Sequence, residues 1–263
     1  MPTEELTKNN KKQKAKIETY KIAEDLKDVK RPEDPKRVQH FFTSVAKKYD
    51  LANTVMSFGR HYSWKRFTTK VVEPKEGQTG IDVCAGTNDI AILLARIVGP
   101  SGKVISLDFN EAMQEVGKFK AKKHGLDNIE HVLADAEALP FEDKTFDFLT
   151  IGTAARHLRA PNALAEWYRV LKPGAKMACL EFYSPHNRIW RAMYNWYSYN
   201  IMPKVGALVA RDKSGVYNYL PDSIRVWYTE ERYQELMQEA GFVDVQFRRF
   251  SGGIACVHWG SKP

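Results

Sequence analysis

Apolar positions between Arg37 and Lys70 recur at helical intervals. Val38, Phe41, Phe42, Val45, Ala46 and Tyr49 fall on one face, which predicts an amphipathic helix with a core-facing stripe. A second helix is expected from His61 to Val72, stopped near Pro74. From residue 78 the rhythm changes. Short apolar runs at Thr79–Cys84, Lys103–Leu107, Ile129–Ala134, Phe146–Ile151 and Lys176–Phe182 predict strands. Helical stretches at Asp89–Val98, Glu111–His124 and Asn162–Leu171 lie between them, the first two closed by Gly99-Pro100 and Gly125. Repeated βα units of this kind imply a mostly parallel sheet with helices on both faces, so the expected class is α/β, doubly wound. A helix at Glu230–Ala240, stopped by Gly241, leads into two closing strands, Val243–Phe250 and Ile254–His258, which brings the sheet to seven. Residues 186–228 interrupt the alternation as a Trp- and Tyr-rich insertion after the fifth strand. Residues 1–36 are dominated by Lys, Glu, Asp and Asn, and bury too little apolar surface to offset ordering entropy, so they are expected to form a mobile arm or a loosely docked helix. The main domain is therefore expected at 37–263, with a helical cap at 37–75.

Composition narrows the class only a little. A chain of 263 residues, 43% hydrophobic and 27% charged, suits one soluble globular domain with extensions. No apolar run approaches the roughly 20 residues that span a bilayer, and the N-terminus is too charged for a signal peptide. Cys84, Cys179 and Cys256 lie far apart, which argues against a metal or disulfide framework and for a reducing cytoplasm. The net charge of +8 is spread along the chain rather than gathered in a stripe, so nucleic acid is not the expected partner.

The candidate chemistry sits at strand ends, where doubly wound sheets bind ligands. Asp82 closes the first strand, and Ala85-Gly86-Thr87 makes a tight turn whose small residues admit a ligand to the backbone. Asp108 ends the second strand 22 residues beyond Gly86, a spacing suited to hydrogen-bonding a ribose diol. Asp135 and Ala136 end the third, placed to address an adenine amino group. Gly86 as a plain turn glycine and Asp108 as a helix cap are the bland alternatives, but three such signals at successive strand ends are hard to dismiss together. A dinucleotide site would want G-x-G-x-x-G. Here only one glycine is present, and Asp89 stands where it would repel pyrophosphate. S-adenosyl-L-methionine, cationic and phosphate-free, is the expected cofactor.

Two long motifs carry a resemblance. Tyr49-Asp50-Leu51-Ala52-Asn53, followed by Ser57, His61 and Trp64, is similar to Y-D-x-M-N…S-x-x-x-H-x-x-W. Arg169-Val170-Leu171-Lys172-Pro173-Gly174 with Leu180-Glu181 is similar to R-V-L-K-P-G-G…L-E, and Ala136–Phe141 fits between them. On these the chain resembles the UbiE/MenG family of ubiquinone and menaquinone C-methyltransferases over nearly all of residues 36–260. The resemblance implies a class I methyltransferase fold and methyl transfer to a ring carbon of a prenylated quinol. It places cofactor contacts at Thr87, Asp108, Asp135 and Ala136, and Gly152 where the family has a cofactor-contacting serine. Arg156 keeps the arginine expected beside the substrate, and His157 replaces an asparagine.

A quinol carbon becomes nucleophilic once a hydroxyl is deprotonated. Arg156 would stabilise that phenolate, His157 or a water would accept the proton, and the Tyr49 hydroxyl could hydrogen-bond the ring. A structural ion pair for Arg156, a helix-start role for His157 and a core role for Tyr49 are the rival readings. Asn88, Ala52, Ala175 and Tyr183 depart from the family pattern, and all four are expected near the ligand side of the sheet. Asn88 is the least comfortable, since it would crowd or hydrogen-bond the methionine moiety. Such departures keep a second class open, a non-catalytic scaffold of a quinone-biosynthesis assembly. Within the enzyme reading the substrate is expected to be demethylmenaquinol, with a polyprenyl benzoquinol as the alternative. The insertion's Trp190, Tyr194, Trp196 and Tyr197, with Arg188, Arg191 and Lys204, suit reversible contact with the inner face of a membrane. An aromatic packing layer or a homodimer interface would use the same residues.

Overall fold

Among the described residues, three α-helices precede the sheet. In the computed structural model, which describes residues 34–263, Asp34 caps α1 (Pro35–Val45) by accepting from the Lys36 N–H, and Pro35 occupies the first turn where its missing donor costs nothing. The expected arm at 1–36 thus lies mostly outside the described residues, and its last two residues begin a helix. A short 3-10 turn at Ala46–Lys48 separates α1 from α2 (Tyr49–Met56), so the stripe predicted as one helix bends before Tyr49. Helix α3 spans His61–Val71.

The sheet then follows: β1 (Thr79–Val83), α4 (Asp89–Val98), β2 (Lys103–Asp108), α5 (Glu111–Lys123), β3 (Ile129–Leu133), β4 (Phe146–Gly152), α6 (Ala160–Val170) and β5 (Leu171–Phe182). β5 begins five residues before the prediction, because Leu171 already pairs with Phe146 and the strand continues through Pro173 and Gly174. The insertion folds as α7 (Arg188–Asn200), α8 (Met202–Ala210) and α9 (Val216–Arg225). Helix α10 (Glu230–Glu239), β6 (Val243–Phe250) and β7 (Ala255–Ser261) complete the chain. The strand order is β3-β2-β1-β4-β5-β7-β6, parallel except for β7, which runs antiparallel between β5 and β6. The expected seven-stranded, doubly wound sheet is present. Its central strands are buried on both faces, as cover by helices on either side requires.

One core face packs Ile81, Leu149, Trp167 and Met237 beneath α6 and α10, and the other packs Trp64, Leu94, Phe148 and Val257 beneath α3 and α4. A third cluster joins Phe41, Val45 and Ala52 to Ala210, Val216 and Tyr217. The N-terminal helices and the insertion, distant in sequence, therefore form one cap. Ala52 is fully buried in it, a small residue where α2 approaches α8. Ala175 corrects the expectation that the four departures share the ligand side. Its carbonyl accepts from the Lys262 N–H near the amino end of β5, at the opposite edge of the sheet.

Candidate functional site

The turn from β1 into α4 is built from left-handed residues. Cys84 (φ 52°), Gly86 (φ 54°) and Asn88 (φ 68°) alternate with ordinary ones. For a cysteine this conformation costs on the order of 1–2 kcal/mol, and such strain concentrates where a backbone is shaped for a ligand. A Cβ on Gly86 would lie 3.2 Å from Met113 Cε, so the position is tight as well as left-handed. The Gly86 N–H donates to Asp108 Oδ2 at 2.8 Å, and the Asn110 N–H donates to the other carboxylate oxygen at 2.8 Å. Burial raises the Asp108 pKa against the pull of these bonds. Asp108 thus fixes the turn while its remaining lone pairs stay available as acceptors for a diol.

Asp82 is placed differently. It is fully buried, accepts from Thr150 Oγ1 at 2.7 Å and from the Ala91 backbone, and burial lifts its carboxyl to about 7. It ties β1 to β4 and to the start of α4, behind the turn. Asp135 is exposed and caps its own loop by accepting from the Glu137 N–H, and the buried Ala136 accepts from Trp167 Nε1 through its carbonyl. Gly152 ends β4, and a Cβ there would meet Ile90 Cδ1 at 2.7 Å, so packing by α4 accounts for the absent side chain.

Asn88 does not enter the turn's inner face. Its side chain is fully buried in the other direction, where Oδ1 accepts from Ser106 Oγ at 2.6 Å and Nδ2 lies 2.7 Å from His131 Nε2. Gly117 makes room for it: a Cβ at 117 would fall 2.7 Å from the Asn88 Cγ. Asparagine adopts the left-handed region more readily than other side chains, so it serves here as the turn's fixing pin.

Four charges cross the turn. Thr87 Oγ1 donates to Asp50 Oδ1 at 2.5 Å, Lys120 bridges Asp50 (2.6 Å) and Asp89, and Lys65 holds Asp89 at 2.6 Å. Burial works to raise the Asp89 pKa, but the two lysines outweigh it and lower it to about 2. The two acids and two lysines cancel. Repulsion of a phosphate by Asp89 therefore falls away, and the single glycine of the turn remains the argument against a dinucleotide.

The second half of the site lies under the cap. A cavity of about 30 Å³ is lined by Phe42, Tyr49, Asn53, Thr153, Arg156 and Phe182, among others. Arg156 is 7% exposed. Its Nη1 donates to Glu181 Oε1 at 2.5 Å and to the Thr153 carbonyl at 2.6 Å, and its Nε donates to Ser223 Oγ at 3.1 Å. Its guanidinium also stands 5.6 Å over the Phe182 ring. Arg156 is thus ion-paired to Glu181, and it also lines the cavity. Tyr49 and Arg156 are brought together. His157 is not among the cavity's lining residues: its ring stacks on Tyr219, with Nδ1 2.9 Å from the tyrosine oxygen, and packs edge-on to Phe42. Burial, then the neighbouring Arg156 charge, pushes its pKa well below the usual imidazole value.

Several residues here carry no local signal in the chain. Glu181 was visible only as the end of a motif, and it is wholly buried as the partner of Arg156. Thr153 holds φ 58° in the backbone that presents Arg156, an uncommon conformation for a β-branched residue. Lys65 and Lys120 reach the turn from helices 24 and 31 residues away from Asp89. The most telling pair is consecutive. Tyr49 lines the cavity while Asp50 grips Thr87, so the first turn of α2 joins the Gly86–Thr87 turn to the Arg156 cavity.

A model of the ubiE/COQ5 methyltransferase family matches residues 29–262. The chain belongs to that family. It is 42% identical over 227 residues to the ubiquinone/menaquinone biosynthesis C-methyltransferase UbiE of Escherichia coli (strain K12 / DH10B), covering 86% of this chain and 90% of that protein. The Klebsiella pneumoniae (strain 342) UbiE is 43% identical over the same lengths. Among solved structures, a SAM-dependent methyltransferase from Thermotoga maritima aligns with a TM-score of 0.59 at 21% identity, over 85% of this chain and 99% of that one. The [4+2]-cyclase SpnF aligns at 0.65 and 14%, over 89% and 98%, which shows the fold but not the reaction. The fold and the family together make the chain a class I, S-adenosylmethionine-dependent methyltransferase.

Proposed function

We propose that this methyltransferase transfers a methyl group from S-adenosylmethionine to a ring carbon of a prenylated quinol, with demethylmenaquinol as the preferred substrate over a polyprenyl benzoquinol. The observation that carries the reading is the α2 bridge, where Tyr49 and Asp50 connect a cationic, aromatic cavity to the Gly86–Thr87 turn. The turn fits the cofactor: a buried acid at Asp108 suits the ribose, Asp135 and Ala136 suit the adenine, and the charge-balanced Thr87 edge suits the amino-acid end. When bound, the cofactor supplies an electrophilic methyl on a sulfonium.

The chain's own residues prepare the other partner. Arg156 faces the ring as a fixed cation that favours the phenolate, and Glu181 and Thr153 hold the guanidinium in one orientation. Tyr49 offers a hydroxyl to the ring oxygen. His157, neutral and weakly basic, orders Tyr219 and the cap, so water is the better proton acceptor. The non-catalytic reading leaned on Asn88 and on the altered fourth-strand segment from Gly152 to His157; of these, the Asn88 side chain leaves the inner face of the turn clear.

Helix α7 supports the membrane part of the reading. Ile189, Met193 and Trp196 lie on one face and are 74%, 57% and 62% exposed, beside the 81% exposed Phe58. Such a stripe suits the headgroup–acyl boundary where a prenyl tail resides. No helix among the described residues is long and apolar enough to cross a membrane.

Labelled cofactor offered with each quinol tests the proposal. Methylation of demethylmenaquinol ahead of the benzoquinol is expected, and transfer to neither refutes it. If Arg156→Ala keeps full turnover at saturating quinol, the role assigned to Arg156 is wrong.

A further inference from the structure

The hydroxyls of Tyr197, Tyr199 and Tyr219 in the cap all have partners. Tyr197 Oη donates to the Met56 carbonyl at 2.9 Å, Tyr199 Oη donates to Asp222 Oδ1 at 2.9 Å, and Tyr219 Oη lies 2.9 Å from His157 Nδ1. Tyr217 differs. It is 3% exposed, and its hydroxyl is buried with no hydrogen-bond partner among the described residues. The ring sits in the first turn of α9 against Gly206 of α8, where a Cβ would fall 2.5 Å from Tyr217 Cδ1. The segment leading into α9 is tied to α1, since Ser44 Oγ donates to Asp212 Oδ1 at 2.8 Å. A phenylalanine would fill this seat equally well without leaving a hydroxyl buried and unpartnered.

Tyr217 also lines the Arg156 cavity, which it reaches from α9 while Tyr49 comes from α2 and Arg156 from the turn after β4. As it stands the cavity has room for about one water-sized group, which is the size of a single ring oxygen. Burial first, then the nearby Tyr49 and Asp212, push the Tyr217 pKa above the ordinary tyrosine value, so the hydroxyl keeps its proton and is a donor at neutral pH. A donor held without an acceptor, on the wall that also carries a fixed guanidinium, is prepared for an oxygen that arrives with the substrate.

We infer that Tyr217 is a further quinol-binding residue, whose hydroxyl donates to a ring oxygen of the substrate in the Arg156 cavity. The inference rests on the quinol reading of that cavity. Such a bond strengthens as negative charge grows on the oxygen, so it favours the phenolate alongside Arg156.

The test is Tyr217→Phe in the full chain, which keeps the ring and removes only the hydroxyl. Its kcat/KM on the quinol is expected to fall roughly tenfold to a hundredfold. The urea midpoint should stay or rise, because the lost group had no partner in the free protein, and cofactor affinity by calorimetry should not change. Two prenylated naphthols, each lacking one of the two ring oxygens, supply a second measurement. One lacks the oxygen that Tyr217 meets, and wild type and variant should bind it equally. The other should bind the variant more weakly, by the factor seen for the quinol itself. If the wild type methylates no quinol, the proposed function fails and this inference with it. If the wild type methylates the quinol and Tyr217→Phe matches its kcat/KM, the quinol reading stands and the inference is wrong. A midpoint that falls together with activity would make the hydroxyl structural and overturn it as well, as would equal losses on both naphthols.

Discussion

Replacing Asn88 tests whether the cofactor turn is pinned from behind. In Asn88→Ala the Ser106 hydroxyl, fully buried, loses its acceptor, and an unsatisfied buried group costs about 1–3 kcal/mol. Alanine must also hold φ 68°, which adds about 1–2 kcal/mol. The expected loss is therefore on the order of 2–5 kcal/mol. Asn88→Gly removes the backbone cost and keeps only the first loss, so stability should rank wild type, then glycine, then alanine. Gly117 makes the experiment sharper. In the wild type, Gly117→Ala drives a methyl to 2.7 Å from Asn88, an overpacking that costs roughly 1–3 kcal/mol. In the Asn88→Gly background that space is free, and alanine within α5 should instead gain up to about 1 kcal/mol over glycine. The two substitutions must then couple by about 2 kcal/mol or more in a double-mutant cycle. Urea unfolding of the four proteins, with midpoints compared at constant m, supplies the numbers. Additive effects, or an alanine variant as stable as glycine, would refute the reasoning. Cofactor affinity by calorimetry should fall in step with the loosening of the turn.

Other outcomes follow from the same geometry. Arg156→Lys keeps the charge but loses the fork that meets Glu181, Thr153 and Ser223. Its kcat on the quinol should drop by roughly a hundredfold or more, with cofactor affinity little changed. His258 is fully buried, and burial lowers its pKa to about 4. The unfolded chain therefore binds a proton that the native state refuses as pH falls from 6.5 toward 4. Stability is full above 6.5 and decreases through that window by up to about 3 kcal/mol, a slope that His258→Gln should flatten in urea titrations at stepped pH. Asp82 has the opposite sign. Its folded pKa is raised to about 7, so its contribution is full below 3.8 and is lost as pH rises toward 7, and Asp82→Asn should gain stability relative to wild type across that range.

The strands and helices of the sheet were legible because their period is local and their breaks are marked by Gly99, Gly125 and Gly241. Asp108 was legible for the same reason, as an acid at a fixed distance past a turn. The destination of Asn88 was not. Its partners arrive from β2, β3 and α5, and only the folded sheet shows that the side chain turns outward to them. The cap was equally hidden, because Ala52 and Tyr217 lie far apart in sequence and neither helix advertises the other. Local pattern also could not reveal that Lys65 and Lys120 neutralise Asp89, so a charge argument sound for the isolated turn failed in the assembled one.

The first turn of α2 has a thermodynamic corollary. Tyr49 and Asp50 are neighbours on one rigid helix, so any displacement that widens the Arg156 cavity, the proposed place of the quinol, also strains the hold on Thr87. Two ligands that share such a lever exchange free energy, and they do so equally in both directions. Cofactor affinity should change in the presence of quinol by the same factor as quinol affinity changes in the presence of cofactor. Asp50→Asn, which weakens the grip without moving Tyr49, should bring both factors closer to one.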